Sequence, residues 1–295
     1  MNIFLERLQS GEILVADGAT GTNLQKLGIK PGTPPEELVI DQPELVLQLE
    51  KAFVAAGSDL ILTCTFGGTR LRMKESKYAQ RVGEINSRAV ELAHQAASTR
   101  SGTLVAGSIG PTGLLMKPFG PLGAEEATSS FSGQAKALVE GGVDLLVIET
   151  MFSFEEADAA FQGARSVTDL PIAVSFSYDR GLRTMMGVKP ADMFQHYKEM
   201  GAALIGANCG TTLENMEKIL QEYAAVDPTF PRWAKPNAGL PRMVDGSTIY
   251  DVTPDQMASA AQNYVALGAR VVGGCCGSAP EHIAAIARAV KSKEE

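Results

Sequence analysis

The 295-residue sequence predicts a single α/β domain, residues 1–295, folded as a (β/α)8 barrel of the TIM type. Three observations carry that expectation. Eight short apolar runs recur along the chain, each suited to a parallel strand buried on both faces. Segments of helical periodicity alternate with them. No Pro/Ser-rich linker or low-complexity stretch divides the chain. A doubly wound open sheet is the competing reading, but it usually has fewer strands, and no G-x-G-x-x-G opens a helix after the first run.

In order, the runs are EILVADGA (12–19), DLILTCTF (59–66), TLVAGSIG (103–110) and DLLVIET (144–150), then PIAVSFS (171–177), ALIGANCG (203–210), RWAKPNAG (232–239) and RVVGGCCG (270–277). Between them, PELVLQLEKAFVAAG (43–57) starts with a proline suited to a first helical turn and stops at Gly57. TSSFSGQAKALVEGG (128–142), PADMFQHYKEMG (190–201), TLENMEKILQEYAAV (212–226) and TPDQMASAAQNYVALG (253–268) repeat the periodicity. AGSDLIL, GGVDLLV, MGAALIG and LGARVVG are one device: a glycine ending a helix, a tight turn, then a strand. The Gly/Pro-rich pieces 110–126 and 227–250 follow the third and seventh runs and are expected to form rims or lids.

A net charge of -8 argues against a nucleic-acid partner, which would need clustered Lys and Arg. The one basic cluster, TRLRMKESK (69–77), contains Glu75 and reads as a solvated helix face. Charges within the first seven residues argue against a signal peptide, and no run of 18 uncharged apolar residues suggests a membrane span. The expected location is cytoplasmic, where thiols stay reduced and a cysteine cluster reads as metal-binding or catalytic.

Barrels of this kind carry their active sites at the C-terminal ends of the strands. Here those ends hold Asp17, Cys64, Thr65, Glu149, Thr150, Asn208, Cys209, Asn237, Cys275 and Cys276. Singly, an Asp or Asn there caps a turn and a Cys fills core. Two carboxylates, two amides and four thiols on one rim are a stronger signal. Zinc takes about four tetrahedral ligands and favours thiolates. Cys209 closes the sixth run, and Cys275 and Cys276 close the eighth. Adjacent strand residues point to opposite faces, so both thiols reach one ion only where the chain leaves strand geometry. Gly273, Gly274 and Gly277 are expected to supply that freedom. Three thiolates with an open fourth position suit a zinc that binds an incoming thiol and keeps it as a thiolate nucleophile. A vicinal disulfide, inert packing and a closed structural zinc remain open at this point. His282 opens the last helix and reads as a capping or packing residue.

GGCCG (273–277) followed by PEHI (280–283), with GANCG (206–210), resembles the homocysteine S-methyltransferase family. DGATGTNLQ (17–25), ILTCTFGGTR (61–70), GSIGPTG (107–113), IETMFS (148–153) and PNAGLP (236–241) extend the resemblance over roughly residues 10–290. It implies a barrel with one zinc held by Cys209, Cys275 and Cys276, which activates homocysteine for methyl transfer to give methionine. It also implies that Asp17 and Glu149 hold the substrate ammonium, with backbone N–H groups around Gly18 and Ala19 meeting its carboxylate.

Within that family the methyl donor varies. Betaine-type members place tyrosines where this chain has Gly67-Gly68 and Met151, so an aromatic cage for a quaternary ammonium is poorly supported. DGATGT, LTCTFGGTR, NAGLP and YDVTP (250–254) look closest to the homocysteine-binding module of cobalamin-dependent methionine synthase. That likeness implies methylcobalamin supplied by a corrinoid protein or by folate- and cobalamin-binding domains. An S-methylmethionine- or betaine-dependent enzyme and a non-catalytic zinc or thiol-redox barrel are the alternatives. Cys64 departs from that pattern, which usually has Asn there. It reads as filler, a substrate contact or a fourth zinc ligand.

Overall fold

The computed structural model describes residues 2–30, 32–179, 181–244 and 247–291. Eight parallel strands form the barrel: β1 (Leu14–Val15), β2 (Leu60–Leu62), β3 (Leu104–Ile109), β4 (Leu145–Met151), β5 (Ile172–Phe176), β6 (Leu204–Asn208), β7 (Arg232–Lys235) and β8 (Ala269–Val272). Their order is β1-β8-β7-β6-β5-β4-β3-β2. A bridge between Ala16 and Leu60 joins the two ends of that order. Asp17 N–H donates to Leu60 O at 3.1 Å and Asp59 N–H to Val15 O at 2.7 Å across the same seam. The expected (β/α)8 barrel is therefore what the chain forms.

Strand alternation divides the core in two. Leu14, Leu62, Leu104, Val147, Leu204 and Trp233 are among the residues that fill the lumen. Their neighbours Val15, Ile61, Val105, Leu146, Ile205 and Ala234 face the helix shell. Phe4 and Leu8 of the N-terminal helix Ile3–Gln9 pack with the lumen residues and plug its lower end. Asn2 caps that helix through Oδ1 and donates its amide to Asp144 O at 2.9 Å, fixing the plug beside the start of β4. The lower barrel is thus solid, and the upper mouth alone can hold a site.

The helices Pro43–Ala55, Ala124–Glu140, Pro190–Glu199, Leu213–Val226 and Pro254–Ala266 stand where periodicity put them. Gly57 and Gly268 follow two of them in the left-handed region, at φ +103° and +87°. Two expectations change. Residues 69–77 expose their charged side chains in part, bury Thr69 and Met73, and form successive turns rather than a helix. The 227–250 piece holds an antiparallel hairpin, Arg242–Val244 with Ser247–Ile249, besides β7 itself. No helix among the described residues is long and apolar enough to cross a membrane.

Candidate metal centre and acceptor pocket

After Val272 the chain is stitched between its two neighbours. Gly273 N–H donates to Ala234 O at 3.0 Å, Gly274 N–H to Asp17 O at 3.1 Å and Cys275 N–H to Pro236 O at 2.8 Å. Cys275 to Ser278 then forms a turn closed by Ser278 N–H to Cys275 O at 3.1 Å. Gly277, its third residue, sits at φ +82°, a value that turn position readily assigns to glycine. In a turn adjacent side chains no longer alternate, so both thiols serve one point. The expectation for the other two glycines is corrected, because neither has a left-handed φ. A Cβ on Gly273 would lie 2.9 Å from the Ala16 and Asp17 carbonyl oxygens, and one on Gly274 would collide with Ser278. They permit close packing rather than a backbone twist.

Cys209 comes to the same point from β6. It has φ +56°, a left-handed conformation uncommon outside glycine, and this turns its side chain toward the β8 loop. The Sγ atoms of Cys209, Cys275 and Cys276 lie within 4.8 Å of one another. Cys209 Sγ and Cys276 Sγ are 3.8 Å apart. Two thiolates each about 2.3 Å from one tetrahedral zinc would stand about 3.8 Å apart, so the donor set fits zinc in type and spacing. By themselves the thiols resist ionisation. Cys276 is pushed up to about 12: hydrogen bonding to Cys209 favours its thiolate, but the Cys275 thiol and burial outweigh that. Cys209 is likewise pushed up to about 12, with its Cys275 bond opposed by Cys276 and burial. A bound cation is what would make three thiolates compatible here. Tyr250 packs its ring against Gly277, beside the thiols.

Below the thiols lies a polar floor. Glu149 Oε1 accepts from Ser108 Oγ at 2.6 Å, and Oε2 lies 3.5 Å from Asn208 Nδ2. Burial raises the Glu149 pKa, against the pull of Lys235 and Ser108. Asn208 Oδ1 accepts from Thr150 N–H at 3.0 Å and Ser175 Oγ at 2.6 Å, while Nδ2 donates to Thr150 Oγ1 at 2.7 Å. Those bonds hold Thr150 at φ +62°, an outlier for a β-branched residue, at the top of β4. Both Asp17 oxygens have a partner: Oδ2 accepts from Leu62 N–H at 2.8 Å, and Oδ1 pairs with Lys235 Nζ at 2.6 Å. Lys235 is 3% exposed. Burial opposes its charge, but Asp17 and Glu149 more than restore it, so its pKa is raised.

The structure thus gathers Cys209, Cys275 and Cys276 into one cluster and pairs Asp17 with Lys235, whose charge Glu149 also favours. Gly18 and Ala19 stand at the end of β1. A Cβ on Gly18 would meet the Phe53 ring at 2.7 Å, and Ala19 N–H donates to Ser278 O at 3.2 Å. Cys64 lies apart from the other thiols. Its Sγ faces Pro35 O at 3.5 Å in the helix shell, where burial raises its pKa well above the usual thiol value. It fills space there, outside the cluster. His282 Nδ1 accepts from Ala279 N–H at 3.1 Å, which leaves Nε2–H to donate to Val252 O at 3.0 Å, so it caps and packs. Sequence reasoning missed Lys235, Ser108 and the place of the Tyr250 ring. The lysine two residues after Trp233 in the RWAK run was the available signal.

The model of the homocysteine S-methyltransferase family matches residues 14–290. The metallated form of the homocysteine methyltransferase MmuM from Escherichia coli superposes with a TM-score of 0.81 at 25% identity, covering 96% of this chain and 98% of that one. Its oxidised form gives 0.79 at the same identity and coverage. A methyltransferase from Methanosarcina mazei shares the fold alone, with a TM-score of 0.59 at 12% identity over 95% of this chain and 94% of that one. With the family model matching nearly the whole barrel and its three thiols converging on one point, this chain belongs to the homocysteine S-methyltransferase family.

Proposed function

We propose that the protein is a zinc-dependent, methionine-forming homocysteine S-methyltransferase whose donor is a methyl-corrinoid carried by a partner protein or domain. The observation that carries this reading is the cluster of Cys209, Cys275 and Cys276, with spacing suited to one zinc at the mouth of a family barrel. Zinc bound there would supply one thing, a fourth position where the acceptor sulfur is kept as a thiolate at neutral pH.

The chain's own residues do the rest. Glu149, aimed by Ser108 and Asn208, takes the acceptor's ammonium. Asp17 sets the charge beside it through Lys235. The sulfur lone pair forms the new S–CH3 bond while the methyl group's bond to the donor breaks and its electron pair leaves with the donor. Nothing in that displacement needs a proton from the protein. Orientation and a deprotonated sulfur are what the site has to provide.

The mouth itself supports a large donor. Leu115, Phe119, Met185, Leu240, Met243 and Val244 are exposed on the loops after β3, β5 and β7. A groove of about 540 Å3 lies between Arg70, Lys74, Leu114 and Glu126. Such an apolar rim suits the face of a partner carrying a bulky cofactor. Trp233, the chain's only tryptophan, is buried in the lower barrel and cannot contribute to a cage for betaine. A second reading is favoured by the E. coli homocysteine methyltransferase, which this chain matches over 98% of its length as one barrel. In that second reading the donor is a small free molecule such as S-methylmethionine.

Two measurements decide. Purified protein should hold close to one zinc, and Cys276→Ala should lose both zinc and methyl transfer; unchanged zinc and activity would sink the reading. Homocysteine assayed against methylcobalamin, S-methylmethionine and betaine ranks the donors, and turnover with betaine alone would reverse the ranking.

A further inference from the structure

The basic stretch 69–77 has a structural counterpart that the acceptor site leaves unused. Between residues 70 and 81 the cations are Arg70, Arg72, Lys74, Lys77 and Arg81. Lys77 Nζ pairs with Asp41 at 2.7 Å, and Arg81 with Glu84 at 2.5 Å. Arg72 faces the buried Glu36 and Glu156, whose charge it favours against burial. The side chains of Arg70 and Lys74 are exposed and make no ion pair or hydrogen bond with any described residue. Both line the groove of about 540 Å3. Leu71, Leu114 and Leu122 give it an apolar lining, and Glu126 is the one acid on its wall. It lies on the C-terminal rim of the barrel, among the loops that follow β2 and β3 and the first turn of the helix Ala124–Glu140.

The chain as a whole carries a net charge of -8, so an acidic surface approaching it is repelled on balance. Two unpartnered cations beside apolar side chains reverse that locally. Such complementarity sets orientation and encounter rate more than affinity. The groove is open to solvent, where a small free anion would stay hydrated and gain little from either cation. A segment tethered in a partner's surface makes both charge pairs and the apolar contact together. We infer that this groove docks an acidic segment of a protein partner, with two carboxylates against Arg70 and Lys74 and an apolar side chain between them against Leu71 and Leu114. The inference takes from the proposed function only what that partner brings, a methyl donor; the docking itself rests on the groove. None of the groove residues belongs to the thiol cluster, so the contact orients a partner without touching the chemistry.

The test uses a fluorescein-labelled octapeptide of alternating glutamate and leucine, titrated with the full chain and followed by anisotropy. The wild type should bind it with a dissociation constant on the order of 0.1 mM, weakening as salt is raised. Arg70→Glu combined with Lys74→Glu should weaken binding at least about tenfold. Lys218→Glu combined with Arg288→Glu makes the same change in net charge on the exposed shell helices and should stay within about twofold of wild type. Equal loss in both double variants would mean unspecific attraction and overturn the assignment. So would equal binding of a serine–leucine octapeptide, no binding of the acidic one, or its displacement by inorganic pyrophosphate at concentrations far below those of the peptide, which would mark a small-anion site. Turnover of homocysteine with free methylcobalamin should be unchanged within about twofold in both variants. Its absence from the wild type would sink the donor reading and leave the docking assignment to be decided by the peptide.

Discussion

Asn208 is a single amide serving three strands. It accepts from Thr150 of β4 and Ser175 of β5 while sitting at the end of β6, and its Nδ2 faces Glu149. Hydrogen bonds of this kind to charged or buried partners are worth about 1–3 kcal/mol each. Asn208→Ala should therefore weaken homocysteine binding by roughly ten- to a hundredfold while leaving zinc content near one per chain, as titration and metal analysis will show. The thiols were readable as sequence because each closes an apolar run, and position on a parallel strand is nearly enough to place them. Lys235 was not. Whether it faces the lumen depends on register, where a one-residue slip exchanges the two faces. Its partner Asp17 lies 218 positions away along the chain.

Among the elements, the helix Pro43–Ala55 carries an uncompensated cost. Glu50 is buried on its inner face, and neither carboxylate oxygen has a hydrogen-bond partner. Burial raises its pKa well above the usual value, and the Asp17 charge adds to that. A carboxyl whose pKa is raised on folding binds its proton more tightly in the native state. Its favourable contribution is present at pH below the unfolded value and is lost as pH rises through the folded one. Glu50→Met should thus stabilise the fold by about 1–3 kcal/mol at pH 8 and by less near pH 5, read from denaturant midpoints at the two pH values. The barrel strands were legible because burial on both faces leaves continuous apolar runs. The hairpin Arg242–Val244 with Ser247–Ile249 was not, since it is short and Arg242, Met243 and Val244 are exposed, so no core periodicity marks it. The turns of 69–77 were misread as helix for a related reason: a solvated charged stretch carries little information about its backbone.

At the scale of the whole molecule the two ends of the barrel have different work. Asp59, 2% exposed at the lower end, accepts from Val15 N–H at 2.8 Å and pairs with Lys291 at 2.5 Å, Arg7 at 3.6 Å and Arg100. One carboxylate thereby ties the N-terminal plug, the β1–β2 seam and the last helix together. Asp59→Ala should cost about 2–4 kcal/mol in equilibrium unfolding, allowing for partly exposed partners, and leave the zinc-to-protein ratio unchanged. On the proposed reading, the upper end meets a donor-carrying partner. Phe119→Glu and Met243→Glu should raise KM at least tenfold for a protein-borne methyl-corrinoid and leave turnover with free methylcobalamin within about twofold, as steady-state kinetics with the two donors will report. The thiol cluster also has a consequence for how the protein is made. Cys209 emerges from the ribosome with the sixth strand, but its two companions belong to the loop that follows the eighth. A nascent chain offers a single one of the three clustered thiols until its barrel is otherwise complete. If zinc is the resident ion, its loading is then the last event of maturation, and zinc content in a cell becomes a count of finished barrels.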